Sequence, residues 1–469
     1  MKNEKTNKKV LLHDNHPKPV TRRDFLAAGF TSLAAYTILP SLVSMLPHRA
    51  LAQAMNCGSD DNNNLIPFLV FDMAGGGGLP ANFLVGKQGG PEDYLASYDL
   101  LGWDPKTSGI DKRFGLPMAP ASIGKVLEGM LQAMSAEAQA KLRMASICHQ
   151  SQDDSSRNTT SAIMEVARAG LQGKMIKNGL GLVNSASGHN TIVPTPVPTL
   201  KPLSVGSVND VIASTGYEML QQELPMQSLL ALAKANLNLS RHQIKSLEAM
   251  PNGQQLKVLA ECGYMKNVDL IAGGADVDPR RVAAFQNLYN INANSQPNAL
   301  EVRSATVVLN ALNKTAGPGS LTIGGCDYHD GTQTTGDQKD LETGQQIGRA
   351  VEAAHRLQKP LMFQVVTDGG VYAVKGTRRW QGDAGDKSMT IIGYYNPKGA
   401  PNLIKTQIGH YTDGQGAERD TFVGKNTSIV AYAVFANYLN ACGKLGEFEK
   451  YVSNSEFPRD KINDVLVFG

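Results

Sequence analysis

Short apolar runs alternate along this chain of 469 residues with longer segments of helical periodicity, and this alternation limits the folds open to it. The runs are rich in β-formers and are apolar at successive positions, which is typical of strands buried on both faces. Predicted strands cover residues 66–73, 142–148, 320–323, 361–367 and 389–395. Predicted helices cover residues 122–141, 159–171, 341–357 and 428–441. Together they predict an α/β fold with a mixed, mostly parallel sheet covered by helices on both faces.

The middle of the chain has a different character. Four prolines between Thr191 and Leu203 exclude a regular helix there, because proline lacks the backbone N–H and restricts the residue before it. Helical segments then dominate, and they are predicted at residues 226–250, 254–264, 279–291 and 299–312. We interpret residues 65–469 as one α/β domain that carries a helical insertion over about residues 207–315.

The N-terminus carries the pattern of an export signal. A polar, lysine-rich stretch leads to Arg22 and Arg23, which precede a weakly apolar run over residues 26–46. The sequence Ala50-Leu51-Ala52 then has the small-x-small pattern that signal peptidase cleaves. Paired arginines before a weakly apolar core indicate export by the twin-arginine translocase.

This interpretation makes residues 1–52 a signal peptide and residues 53–64 a flexible leader. The alternative is a membrane anchor that is never removed, since the run approaches the roughly 20 residues needed to span a bilayer. Pro40 and Pro47 interrupt the run, and a cleavage pattern follows it. We therefore expect a periplasmic or extracellular protein.

Charge and hydropathy exclude two kinds of partner. The first 52 residues hold eight Lys/Arg and three Asp/Glu, so the remainder holds 45 − 8 = 37 basic and 42 − 3 = 39 acidic residues, a net charge of −2. A nearly neutral mature chain argues against nucleic acid as a partner. No comparably long apolar run follows the signal, so we expect no stable membrane span after cleavage. The five cysteines form no recognisable disulfide framework or metal motif.

Residues that bind metals follow several of the predicted strands. Asp72, Asp327 with His329, and Asp368 come at or just after three strand ends, where open α/β sheets bind ligands. Carboxylates and an imidazole gathered at one edge are stabilised by a cation between them. These donors suit a divalent ion such as zinc, manganese, magnesium or calcium. The alternative is structural, because aspartate before glycine commonly stabilises a turn.

A serine pair precedes the predicted helix that follows the second strand. Ser155 and Ser156 stand directly before Arg157, at the expected N-cap of that helix. A capping serine accepts a backbone N–H, and this is the structural alternative. The functional alternative is that a serine there attacks an anionic ester attracted to the helix N-terminus, with Arg157 binding the anion through its planar guanidinium group.

The order of these features resembles a known family. The arginine-pair leader, the strand into Asp72 and glycines, the serine-bearing segment and the block Gly324-Gly-Cys-Asp-Tyr-His329 are similar to those of a functionally uncharacterised family of twin-arginine-exported bacterial proteins. That family looks like a branch of the alkaline phosphatase/sulfatase superfamily. The resemblance implies an alkaline-phosphatase-like fold, Ser155 or Ser156 as nucleophile, and Asp72, Asp327, His329 and Asp368 as metal ligands.

The chain departs from the family pattern at three places. The usual Ser-His reads Ser156-Arg157, and the usual Ser-Glu-Phe-Gly-Arg after the fourth strand reads Thr367-Asp-Gly-Gly-Val371. The usual late Asp-His-Gly reads Asp386-Lys387-Ser388, so that a lysine stands where a histidine is expected.

Two functions follow from these observations. The first is an exported metal-dependent hydrolase that acts on a small anionic substrate, a phosphate or sulfate ester. The second is a relative that has lost catalysis and serves as a periplasmic or surface binding or assembly protein. Bound divalent metal favours the enzyme, and dispersed carboxylates favour the binding protein.

Overall fold

The computed structural model describes residues 64–151, 159–182, 202–215, 277–326, 331, 333–374, 379–382, 384–424 and 426–469, with four isolated helical positions between 228 and 238. Apart from those four positions, the described residues belong to one compact unit, residues 61–223 with 275–469. The predicted signal peptide 1–52 and the predicted helices 226–250 and 254–264 lie outside the continuously described ranges.

Within the described ranges, eight strands form the central sheet, in the order β10-β2-β9-β6-β1-β5-β3-β4. Two further short strands, β7 and β8, form a separate antiparallel hairpin. The strands are Phe68–Met73 (β1), Leu142–Cys148 (β2), Leu180–Gly181 (β3), Leu203–Ser204 (β4), Gly319–Ile323 (β5), Leu361–Thr367 (β6), Tyr372–Ala373 (β7), Trp380–Gln381 (β8), Met389–Tyr395 (β9) and Gln407–Ile408 (β10). Only β9 runs antiparallel to its neighbours in the large sheet; the other pairings are parallel.

The α-helices of the described ranges lie between these strands in the chain, except the last one, which follows β10. They are Pro105–Ser108 (α1), Lys125–Ala133 (α2), Ala136–Ala140 (α3), Ile163–Arg168 (α4), Val208–Thr215 (α5), Ala283–Tyr289 (α6), Leu300–Leu312 (α7), Thr334–Arg356 (α8) and Thr427–Ala441 (α9). The predicted α/β class with a mixed, mostly parallel sheet is therefore confirmed.

The sheet separates two apolar layers, and β1 shows how. Its alternate residues Phe68 and Val70 belong to one buried cluster, which also contains side chains of α4 and α9. Leu69, Phe71 and Met73 belong to the other cluster, with side chains of α2, α7 and α8. Because successive side chains of a strand point to opposite faces, a run that is apolar throughout is buried on both sides.

Two helices of one layer pack with unusually close backbones. A Cβ atom on Gly344 of α8 would overlap the Val126 carbonyl group of α2, and one on Gly129 of α2 would overlap the Leu341 carbonyl group of α8. Glycine at both positions lets the two helices approach this closely. The helix α7 also contacts β1, β3 and β5, so this part of the predicted insertion 207–315 contributes a helix to the cover of the sheet.

Several predicted boundaries differ from those observed, for local reasons. The predicted helix 122–141 is interrupted at Ser135, whose hydroxyl accepts a hydrogen bond from Ala138 N at 3.3 Å and so begins α3. The helix predicted over 341–357 begins earlier, at Thr334. Within the ranges described, no helix is both long enough and apolar enough to cross a membrane.

Candidate functional site

The carboxyl ends of the parallel strands share one edge of the sheet, and we call it the carboxyl edge. Since β9 is antiparallel, its first residues lie at the same edge, with Met389 opposite Cys148 at the end of β2. The chain segments that meet there follow β1, β2, β5, β6 and β10 and precede β9. Side chains in these segments are the ones that the topology brings together.

Asp72 lies at this edge, near the end of the central strand β1. It is fully buried, and its register partners are Thr322 of β5 and Val366 of β6. The Thr322 hydroxyl is 3.5 Å from Asp72 Oδ2, at the limit of a hydrogen bond. A carboxylate with no exposed surface is costly without charged or hydrogen-bonding neighbours, so its position at a strand end marks a candidate site.

Asp368 lies at the end of the adjacent strand β6 and is also buried. Its Oδ1 accepts a hydrogen bond from Gly75 N at 3.1 Å, which joins β6 to the turn that follows β1. Adjacent strands run about 4.8 Å apart, and Asp72 stands opposite the residue two positions before Asp368. The structure thus brings Asp72 and Asp368 to neighbouring positions on one edge.

The turn after β1, residues 74–78, depends on glycine for its path; we call it the glycine loop. Gly75 and Gly76 have φ values of 105° and 94°, in the region that favours glycine. A Cβ atom on Gly77 would lie 2.7 Å from Met73 Cε. Thr367 holds this loop, because its Oγ1 accepts a hydrogen bond from Gly77 N at 2.6 Å and donates one to Gly369 O at 2.9 Å.

The other predicted site residues, Ser155, Ser156, Arg157, Asp327 and His329, lie outside the described residues. The residues that flank them are described and lie at the carboxyl edge. Before the serines, Ser151 N donates to Gly385 O at 2.8 Å, and after them Thr159 Oγ1 lies 2.7 Å from Ser428 Oγ. Before Asp327, Cys326 N donates to Ala74 O at 3.1 Å.

The predicted start of the helix that follows β2 is wrong. The helix predicted over 159–171 begins only at Ile163, and Ala162 occupies its N-cap without a side-chain cap. The N-cap of α4 is therefore Ala162 and not a serine. The reason is a side chain from the sheet: Gln364 Oε1 accepts a hydrogen bond from Ala162 N at 3.0 Å, and Gln364 Nε2 donates to Thr160 O at 2.6 Å.

Lys387, at the position where the resemblance leads us to expect a histidine, also lies at this edge. Its side chain is largely buried, with 11% of its surface exposed. The ammonium group donates to Asp386 Oδ2 at 3.0 Å and to Gly414 O at 3.3 Å. It is therefore held by groups of its own segment and of the turn that follows β10.

Neither the buried histidine at the end of β2 nor the three thiols in the described ranges provide a further reactive group. His149 Nε2 lies 3.0 Å from Thr390 Oγ1 and Nδ1 lies 3.0 Å from Gln150 O, the pattern of a hydrogen-bonded core histidine. Burial raises the pKa of Cys148, Cys326 and Cys442 above the ordinary range, and Asp340 and Asp72 raise that of Cys326 further. These thiols stay protonated at neutral pH and are poor nucleophiles.

The donors at the edge fit part of a divalent-metal site. Among the residues whose placement is described, no group of three or more His, Cys, Asp or Glu side chains is arranged to hold an ion. Asp72 and Asp368 supply two buried carboxylates, the oxygen donors that hard cations prefer. The two remaining predicted ligands, Asp327 and His329, fall outside the described ranges.

Sequence reasoning missed two residues that organise this edge, Thr367 and Gln364. The sequence did carry a signal for Gln364, since it is the one amide in the apolar run Leu361–Thr367 and a buried amide must be hydrogen-bonded. No signal distinguishes Thr367, because threonine is common in strands.

No protein-family profile, curated protein or solved structure matches this chain.

Proposed function

We propose that this protein is an exported metal-dependent hydrolase of phosphate or sulfate esters, built on an alkaline-phosphatase-like fold. One observation carries the proposal: Asp72 and Asp368 are two buried carboxylates at neighbouring strand ends. Supporting it, the flanks of both remaining predicted segments lie at the same edge. A catalytic site divided among several strand ends is the arrangement that open α/β sheets favour.

In this proposal, Asp72, Asp368, Asp327 and His329 hold the metal. A bound divalent ion would polarise the ester oxygens and stabilise the charge that develops on them. Ser155 or Ser156 attacks the phosphorus or sulfur atom, and the alcohol leaves as the serine ester forms. Water then hydrolyses that ester and regenerates the serine. Arg157 holds the non-bridging oxygens of the substrate through its planar guanidinium group.

Metal binding and hydrolysis test the proposal separately. Purified protein is titrated with zinc, manganese, magnesium and calcium, and each metal-loaded form is assayed with aryl phosphate and aryl sulfate. We expect Asp72→Asn and Asp368→Asn to lower metal affinity, and one of Ser155→Ala and Ser156→Ala to abolish hydrolysis without releasing the metal. Asp460→Asn, a change at an exposed position, is the matched control. It should leave metal affinity and hydrolysis unchanged.

A specific observation favours the second candidate, a binding or assembly protein without catalysis. The Lys387 ammonium group replaces an expected imidazole and is held by Asp386 and Gly414. A lysine nitrogen that donates to both of these oxygens does not offer a metal ion the lone pair that an imidazole would. Absence of hydrolysis with all four metals, together with absence of metal binding, would exclude the first function and leave the second as the candidate.

A further inference from the structure

The end of β6 holds the glycine loop through two consecutive side chains. Thr367 Oγ1 accepts from Gly77 N at 2.6 Å, and Asp368 Oδ1 accepts from Gly75 N at 3.1 Å. The loop is the direct continuation of the strand that carries Asp72. The glycine loop that follows Asp72 is therefore bonded to Asp368 itself and to Thr367, the residue before it.

Thr367 is suited to this role by its hydroxyl group. It donates its single hydrogen to Gly369 O at 2.9 Å, which leaves its lone pairs to accept from Gly77 N. Thr367, Gly77 and Gly369 are buried. Loss of the hydroxyl would leave the N–H of Gly77 and the carbonyl of Gly369 buried without this hydrogen-bond partner. The glycine loop would then have to move so that these groups find other partners.

We propose that Thr367 is a positioning residue for the carboxylates of the carboxyl edge. By fixing the glycine loop on the end of β6, it keeps Gly75 N in place to orient Asp368 relative to Asp72. This inference rests on the proposed metal-dependent function and names a residue that serves that site without contacting the ion. Partners of this kind orient metal ligands, and their loss commonly weakens metal binding.

The test compares three variants of the full exported chain. Thr367→Val removes the hydroxyl and keeps the shape, and Thr367→Ser restores the hydroxyl. Thr306→Val is the matched control, because Thr306 is buried and its hydroxyl bonds within α7, to Val302 O at 2.7 Å. Affinity is measured by titration calorimetry with zinc and manganese, and amide hydrogen exchange is followed over residues 74–79 in metal-free protein.

We expect Thr367→Val to weaken metal binding by about 10- to 100-fold and to speed exchange in the glycine loop. Thr367→Ser and Thr306→Val should bind within about threefold of the unchanged protein, since each keeps the hydroxyl that holds the loop. Thr367→Ala replaces Thr367→Val if circular dichroism shows that the valine variant does not fold.

Two results overturn the inference in different ways. If Thr367→Val binds metal as tightly as the unchanged protein, Thr367 has no positioning role, whether or not the loop exchanges faster, and the proposed function stands. If the unchanged protein binds no divalent ion, the proposed function fails, and the positioning role fails with it.

Discussion

Glu165 is a half-buried residue outside the candidate site, on the face of α4 that meets the C-terminal part of the chain. Its Oε2 atom is buried and has no hydrogen-bond partner among the residues described. Arg168, one turn further on, donates to Tyr451 O at 3.2 Å, and the Glu456 carboxylate adds negative charge from the C-terminal segment. Burial raises the pKa of Glu165 to about 7; Arg168 opposes the shift, and Glu456 adds to it.

This raised pKa predicts a pH-dependent stability. Between about pH 4.5 and pH 7 the folded state keeps a proton that the unfolded state has lost, so the free energy of unfolding falls as pH rises. Glu165→Gln removes this dependence and should be more stable than the unchanged protein above pH 7, by up to about 3 kcal/mol. Urea unfolding between pH 4.5 and 8 measures the effect.

The control for this prediction is Glu301→Gln, a change at an exposed glutamate. It should keep the fall in the free energy of unfolding between about pH 4.5 and pH 7. Parallel pH profiles for Glu165→Gln and the unchanged protein would show that Glu165 is ionised in the folded state throughout this range.

Gly393 is a single residue on which the packing of β9 against β6 depends. A Cβ atom at this position would overlap the ring of Phe363, which also packs edge-on against Phe71 with ring centroids 5.7 Å apart. Gly393→Ala should therefore lower the free energy of unfolding by about 1–3 kcal/mol, because the ring must leave its position in a close-packed layer. Chemical denaturation measures the loss. Gly446→Ala, where a Cβ atom meets open space, should change stability little.

At the scale of the element, Gln364 decides where α4 begins. This fully buried amide on β6 binds the backbone of Thr160 and Ala162, which would otherwise extend the helix. Helical periodicity alone favours a helix over the longer range 159–171, and the amide of a distant strand shortens it. The same bonds fix the chain directly after the segment that carries Ser155 and Ser156.

Removal of this amide should loosen the entry to α4. Gln364→Leu leaves Ala162 N and Thr160 O without their partner, at a cost of about 2–4 kcal/mol for the pair, and should speed amide exchange over residues 159–163. Asn437→Leu is the matched control. Asn437 is a buried amide of α9 that accepts from Val467 N at 2.8 Å and donates to Val465 O at 2.7 Å.

The control should lose a similar amount of stability but loosen residues 465–467 instead. Hydrogen exchange followed by mass spectrometry distinguishes the two patterns. Equal protection of residues 159–163 in both variants would contradict the role assigned to Gln364.

The break between α2 and α3 is also fixed by a side chain that is distant in sequence. Ser135 separates α2 from α3, and Glu352 of α8 accepts hydrogen bonds from Ser135 N at 3.0 Å and from Ser135 Oγ at 2.8 Å. The carboxylate from another helix thus satisfies groups that a continuous helix would have to satisfy itself. Its charge is supported by Arg356, whose Nε donates to Glu352 Oε1 at 2.9 Å.

At the scale of the whole molecule, export is the prediction that the N-terminal sequence makes. Arg22→Lys with Arg23→Lys preserves the charge and removes the arginine pair, so the precursor should stay in the cytoplasm. Cell fractionation with detection of the cleaved and uncleaved forms measures this. The control replaces Lys8 and Lys9 with arginine, outside the pair, and should export normally. Normal export of the arginine-pair variant would exclude the twin-arginine route.

The sequence by itself determined the central strands, because a run that is mostly apolar at successive positions is stable only when both of its faces are buried. The predicted bounds of 142–148, 361–367 and 389–395 coincide with β2, β6 and β9 for this reason. The class of fold followed, since strands alternating with helices form a sheet covered on both faces. The same topology brings Asp72 and Asp368 to one edge of the sheet, since the ends of parallel strands meet there.

Only the tertiary structure decided the direction of β9, the start of α4 and the role of Thr367. Each depends on a hydrogen-bond partner that is distant in sequence: β9 pairs with both β2 and β6, and Gln364 and Thr367 bind backbone some 200 or 290 residues away. Local periodicity carries no information about such partners. A strand has the same residue pattern in either direction, and a buried hydroxyl or amide acquires its role only from the backbone group that the fold places beside it.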